Sequence, residues 1–212
     1  MPDFSHVRAW VFDLDNTLYD PSARLFDQIE RRMARYVARL LDIDEAAADA
    51  LRDEYWARHG TTLSGLMAEH DIDPMPFLED AHDIDFSILE PDPALAAAIR
   101  ALPGRRVVFT NGARPYAERV LAARGLAGVF DAVYGIEHAN FRPKPEQAAF
   151  EAVFALDGLP PREGAMFEDV PRNLAAPHAM GMRTVLVGPA PAEGAHIDAH
   201  TDDLTGFLSR LV

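Results

Sequence analysis

The strongest constraint on the fold is a change of hydrophobic rhythm along the chain. Residues 7–12 (VRAWVF) form a short apolar run, rich in β-branched and aromatic side chains, that ends on Asp13 and marks a buried strand. Beyond it the apolar residues fall three or four apart. Leu25, Ile29, Met33, Val37 and Leu40 share one face of a helix expected over 22–41. Helical patterning resumes over 44–59, 61–69 and 75–82, and no second strand signal interrupts it. The rhythm then alternates: helix 92–102, strand 106–109, helix 114–124 stopped by Gly125, strand 132–135, helix 145–155, strand 165–167, helix 171–180, strand 184–187 and a last helix over 201–211. Strands that alternate with helices build a parallel sheet covered on both faces. The expected fold is therefore α/β, a Rossmann-like core of residues 1–19 and 88–212 with an all-helical insertion, 20–87, after the first strand. Pro91 and Pro93 mark the return to the core, and 189–195 reads as a surface loop.

The formal net charge of -14 repels polyanions, so a nucleic-acid polymer is not an expected partner, whereas a local site can still attract a small phosphorylated molecule. There is no cysteine, which excludes disulfides, thiolate metal sites and thiol nucleophiles. The first residues, MPDFSHVRAW, lack the basic start and apolar run of a signal peptide, and no stretch approaches the roughly 20 apolar residues that span a bilayer. The expectation is a cytoplasmic protein with no membrane partner; oligomeric state is not readable.

In parallel α/β sheets, ligands bind beyond the carboxyl ends of the strands. The polar residues that follow the expected strands are Asp13-Leu14-Asp15-Asn16-Thr17, Thr110-Asn111-Gly112, and Glu168-Asp169, with Lys144 between two prolines near a further turn. Each has an ordinary reading. Asp13 can end a strand as a turn former, Asn-Gly is a common turn pair, and Glu168-Asp169 can complement a helix dipole. Two carboxylates one residue apart at the end of a buried strand need a cation, and an oxygen-only donor set favours Mg²⁺. A calcium loop starting at Asp13 fails, because its sixth residue is Leu18 rather than Gly and its twelfth is Arg24 rather than Glu. Thr110 and the backbone N–H groups beside Gly112 can donate to phosphate oxygens. Lys144, stiffened by Pro143 and Pro145, can present an ammonium to the same phosphate. His196 and His200 are four apart, but read as solvent-exposed rather than as a metal pair.

Taken together, these segments resemble the haloacid dehalogenase superfamily: FDLDNTL at 12–18, Thr110-Asn111-Gly112, Lys144, and FEDVPRN at 167–173. The insertion resembles that family's helical cap of the C1 type. The resemblance implies that Asp13 is the nucleophile and forms an aspartyl-phosphate. It implies that Asp15 is the general acid and base, and that Thr110, the Asn111 backbone, Gly112 and Lys144 bind the phosphoryl oxygens. Mg²⁺ would be held by Asp13, the Asp15 carbonyl and Asp169, with Glu168 just behind. Dehalogenases proper lack a carboxylate at the position of Asp15, so its presence favours phosphate chemistry. FDLDNTLY, HGTTLSGL at 59–66 and TNGARPYAERVL at 110–121 also resemble the pyrimidine 5′-nucleotidase-like subgroup. That likeness implies a nucleoside monophosphate substrate and turns Thr61 and Thr62 toward it from the cap. Thr61 can equally be the N-cap of a helix. Alternatives are a sugar-phosphate phosphatase or phosphomutase, a non-catalytic phosphoryl-binding module, and a glycosyl transferase metal pair, which would account for Asp13 and Asp15 alone.

Overall fold

The computed structural model describes residues 2–212. Six parallel strands form one sheet: β1 Ala9–Phe12, β2 Arg105–Phe109, β3 Ala132–Tyr134, β4 Gly164–Glu168, β5 Arg183–Val187 and β6 Ala199–Thr201, in the order β3-β2-β1-β4-β5-β6. Alternate residues of the inner strands enter different layers. Trp10, Phe12, Val108, Ala165 and Phe167 join one apolar cluster, and Ala9, Val11, Val107, Phe109 and Met166 join the other. This is why the inner strands read as continuous apolar runs: both faces are covered. The first cluster is roofed by α5 (Pro93–Ala101), α6 (Arg114–Ala123) and α9 (Leu204–Ser209), the second by α7 (Gln147–Asp157) with α8 (Ala175–Ala179) beside it.

Between β1 and α5 the chain forms α1 (Leu25–Leu41), α2 (Glu45–His59), α3 (Thr62–His70) and α4 (Pro74–Ala81), which pack on one another. Asp44, Thr61 and Asp73 cap α2, α3 and α4, each accepting a backbone N–H of the first turn. The apolar cluster runs without a break from Leu25, Ile29, Leu63 and Phe77 of these helices to Tyr116 and Phe12 of the sheet layer. Arg124, just past α6, ties both chain crossings. Its guanidinium donates to the Leu18 carbonyl at 3.1 Å, to the Glu90 carbonyl, and to Asp92 at 3.0 Å.

Five sequence expectations change. The sheet has a sixth strand, β6, which pairs with β5 through Val185↔Ala199 and Val187↔Thr201. It is three residues long, with His200 at its centre, and leaves no hydrophobic rhythm to read. The last helix accordingly begins at Leu204 rather than at 201. His196 and His200 lie in a loop and in β6, not on a helix. Each ring bonds a backbone carbonyl, that of Pro171 at 3.1 Å and that of Gly188 at 2.8 Å, and both are half-buried. The stretch 171–180 is a 3₁₀ turn, Pro171–Leu174, followed by the short α8, and α7 starts at Gln147 rather than at Pro145.

Candidate functional site

β1 lies between β2 and β4, so the residues that follow these three strands meet at one edge. Asp13 continues the ladder, its N–H donating to the Phe167 carbonyl at 2.9 Å. The turn that follows bonds onto itself, Thr17 and Leu18 N–H to the Leu14 carbonyl, with Asn16 at φ +59°. Thr17 returns its hydroxyl to Asp13 Oδ2 at 3.3 Å.

Lys144 reaches into this edge from the turn before α7. Its Nζ donates to Asp13 Oδ1 at 2.6 Å, to Glu168 Oε2 at 2.7 Å and to the Phe109 carbonyl at 3.1 Å, and the residue is 2% exposed. The Asn111 side chain brackets the Lys144 backbone. Its Oδ1 accepts the Lys144 N–H at 2.8 Å and its Nδ2 donates to the Lys144 carbonyl at 3.2 Å. Thr110 is buried, and its Oγ1 accepts the Gly112 N–H at 2.9 Å.

One carboxylate oxygen from each of Asp13, Glu168 and Asp169 lies within 4.8 Å of the others, a geometry that can hold a cation. Three carboxylates face a single ammonium, which leaves two negative charges uncompensated. A divalent cation with a preference for oxygen, such as Mg²⁺, fits that donor set and that charge. Without it Asp13 and Asp169 bind protons more tightly than free carboxylates do. Burial, reinforced by the Glu168 charge, pushes Asp13 up to about 7, and burial with the Asp13 charge pushes Asp169 up to about 9. Burial by itself would lower Lys144, but Asp13 and Glu168 outweigh it and hold the ammonium charged.

These raised values have a testable sign. An acid whose pKa is higher folded than unfolded destabilises the fold as pH rises from its unfolded value toward its folded one, here from about 4 toward 7 and 9. Cation binding displaces those protons and removes the penalty. A fixed Mg²⁺ concentration, about 100 times the Kd at pH 8, is therefore expected to raise the thermal midpoint by roughly 5 °C or more at pH 8, and by less at pH 5, where protons weaken binding, in a thermal-shift assay. An equal shift at both pH values would place the cation elsewhere.

The Asp15 carboxylate is not one of these three and is held by two phenols. The Tyr19 hydroxyl donates to its Oδ1 at 2.8 Å, and the Tyr116 hydroxyl donates to the same oxygen. Burial raises Asp15, and these two donors oppose the rise. Both tyrosines lie inside segments the sequence singles out, yet neither was assigned a role. Tyr116 sits on the apolar face of α6, with Ala117, Val120 and Leu121. A buried tyrosine there signals that its hydroxyl needs a partner, but not which one.

Above the edge opens a cavity of about 400 Å³, walled by the sheet-edge residues and by α1–α4. Asp13, Asp15, Thr110, Asn111, Gly112, Lys144, Glu168 and Asp169 all line it, so the expected site residues are brought together. Thr61 and Thr62 line it as well. The Thr61 hydroxyl, however, accepts the Ser64 N–H at 3.0 Å and bonds the Ser64 hydroxyl at 2.8 Å, which is its capping duty. The far wall carries Phe26, Met33, Trp56 and Phe77. At the mouth, the Arg172 guanidinium lies 4.2 Å over the Trp56 ring and bridges the segment after β4 to α2. Trp56 and His82 belong to no motif, and Arg172, although inside the segment 167–173, carries no role that the sequence shows.

Comparison with known proteins agrees with this architecture. A family profile described as haloacid dehalogenase-like hydrolase matches residues 7–181. The chain is 27% identical over 207 residues to phosphate metabolism protein 8 of Saccharomyces cerevisiae, covering 88% of this chain and 63% of that protein, so it spans less than two thirds of that relative's length. It is 28% identical over 188 residues to the fructose-1-phosphate phosphatase YqaB of Escherichia coli, covering 86% of this chain and 97% of that protein. Among solved structures, the HAD phosphatase from Thermococcus onnurineus superposes with a TM-score of 0.64 at 20% identity, covering 97% of this chain and 98% of that one. The magnesium-bound HAD-hydrolase YfnB from Bacillus subtilis superposes at 0.62 and 16%, with the same coverage. The chain belongs to the haloacid dehalogenase-like hydrolases.

Proposed function

We propose that the chain is a Mg²⁺-dependent phosphomonoesterase in which Asp13 is the nucleophile, Asp15 the general acid and base, and helices α1–α4 a cap over the leaving group. The observation that carries this is the position of Lys144. A buried ammonium clamped between Asp13 and Glu168, at the floor of the cavity, fixes a carboxylate where a phosphoryl group can enter. A dianionic phosphate and a carboxylate repel each other, and fixed positive charge at the point of attack is what lowers that barrier.

A carboxylate oxygen of Asp13 attacks phosphorus, and Asp15 delivers its proton to the leaving oxygen as the bond to phosphorus breaks. Water then attacks the aspartyl-phosphate, Asp15 takes the water proton, and Asp13 is released. Thr110, the Asn111 backbone N–H and Lys144 hold the phosphoryl oxygens throughout, while the Gly112 N–H keeps its bond to Thr110 Oγ1. Mg²⁺ would be held by Asp13, Asp169 and the Asp15 carbonyl and would supply charge neutralisation to the phosphoryl group, with Glu168 bracing Lys144.

The substrate we favour is a small phosphorylated metabolite of the nucleoside monophosphate class. The aromatic wall of Phe26, Trp56 and Phe77 suits a planar base, and the segments at 59–66 and 110–121 carry the nucleotidase-like pattern. The relative named as a fructose-1-phosphate phosphatase supports a sugar phosphate as the second reading. A phosphate-release panel with Mg²⁺, spanning UMP, CMP and fructose 1-phosphate, tests both. Fastest turnover of UMP or CMP is expected, fastest turnover of fructose 1-phosphate selects the second reading, and no release from any ester overturns the phosphatase proposal.

A further inference from the structure

Asp15 is held in a way that its own motif does not explain. Its carboxylate has two oxygens, and both phenol donors, Tyr19 and Tyr116, converge on Oδ1. An oxygen that already accepts two O–H donors is a poor place for a proton, so the transferable proton sits on Oδ2. Anchoring one oxygen also fixes the plane of the group, and a general acid must be aimed before it can transfer a proton.

The two donors come from different parts of the fold. Tyr19 follows Asp15 by four residues in the same turn. Tyr116 reaches it from the first turn of α6, and its ring has a prepared seat. A Cβ at Gly112 would lie 2.8 Å from Tyr116 Cδ1 and 3.2 Å from Cε1, so glycine at 112 makes room for the ring. On the side of the helical insertion, His82 closes α4 and stacks on Tyr116 with centroids 4.2 Å apart and planes 12° from parallel. His82 is buried, and its Nδ1 has no hydrogen-bond partner among the described residues. Hydrogen bonding through that nitrogen therefore does not account for where the ring lies; the stack is its defined contact.

We propose that Tyr116, assisted by Tyr19, is the positioning residue that aims Asp15, and that His82 of the helical insertion holds Tyr116 in that role by stacking on it. This rests on the phosphatase reading given above. In the first half-reaction the proton on Asp15 Oδ2 passes to the leaving oxygen while the bond from phosphorus to that oxygen breaks and the Asp13 bond to phosphorus forms. In the second, the proton of the attacking water passes to Oδ2 while the Asp13 bond to phosphorus breaks. Oδ1 stays with its two phenols in both. The insertion that covers the leaving group thus also touches the group that protonates it, through one aromatic pair.

The test uses leaving-group dependence, which general loss of structure does not alter. An alkyl phosphate (UMP or fructose 1-phosphate, whichever the wild type turns over faster) needs a proton on its leaving oxygen, and 2,4-dinitrophenyl phosphate does not. Tyr116→Phe is expected to lower kcat/KM, which reports only the steps up to departure of the leaving group, about tenfold for the alkyl ester and by less than about threefold for the dinitrophenyl ester, whereas kcat, which includes hydrolysis of the shared aspartyl-phosphate, falls for both. His82→Leu is expected to shift the ratio of the two rates the same way, and His82→Phe, which keeps an aromatic face, to restore most of it. Should Tyr116→Phe not fold, Tyr19→Phe removes the other donor to the same oxygen and is read by the same ratio. Equal losses of kcat/KM on both esters, or an unchanged alkyl kcat/KM, overturn the positioning role and leave the phosphatase reading in place. A wild type inert toward both esters overturns that reading first.

Discussion

Asp13→Asn is expected to abolish phosphate release, by on the order of 10⁴-fold or more in kcat, while the protein stays folded. Asparagine has nearly the same shape, so the turn from Leu14 to Leu18 and the ladder bond to Phe167 remain. What is lost is a nucleophile no neighbour can replace: the Glu168 carboxylate is engaged by Lys144 and by the Val170 N–H, and Asp15 by two phenols. Stability is expected to move the other way. Asp13 is pushed up to about 7, so above pH 4 its ionised form is a burden on the fold, and its removal leaves one ammonium facing two carboxylates rather than three. The thermal midpoint of Asp13→Asn without Mg²⁺ should therefore equal or exceed that of the wild type at pH 8, with the difference shrinking at pH 5. Phosphate release within tenfold of wild type would remove Asp13 from the chemistry. A large fall in midpoint would mean that its role is structural.

The second large effect is expected from Lys144→Met. The side chain fits the same volume but withdraws the one cation that, among the described residues, lies within bonding distance of Asp13 and Glu168. Removing one member of a buried ion pair commonly costs about 3–5 kcal/mol, because the partner's charge is left uncompensated. Here Asp13 and Asp169 can answer by taking up protons, which they already hold more tightly than in the unfolded chain. The loss should therefore approach that range at pH 8, fall at pH 5, and be partly recovered by Mg²⁺, as read from urea unfolding. Phosphate release should fall with it, since the Asp13 clamp and a phosphoryl contact disappear together. A variant whose stability loss is the same at both pH values would show that Lys144 acts through packing of its stem rather than through its charge.

These two residues show how unevenly the site can be read from sequence. Asp13 is legible because its context is local: a run of apolar residues, buried on both faces, must end where the first polar group appears, and ligands gather at such ends. The helices of the insertion are legible for the same reason, since a repeat of three or four apolar residues is written directly in the chain. Thr61 is legible only in part. Its capping pattern is local and correct, but whether its neighbour Thr62 meets a substrate depends on how α3 sits over the sheet. β6 was missed because three residues centred on a histidine carry no periodicity, and the strand exists only because β5 offers it an unpaired edge.

By itself, then, the sequence determined the layers, the polar strand ends and the residue types available to the chemistry, because periodicity and strand termination are properties of neighbouring residues. Only the tertiary structure decided who meets whom. The strand order that sets β1 between β2 and β4 brings Lys144 to Asp13 and Glu168, and the placement of the end of α4 over the first turn of α6 lays His82 on Tyr116 and, through it, bears on Asp15. Those contacts join segments far apart in the chain, and their geometry comes from packing, which no local pattern encodes.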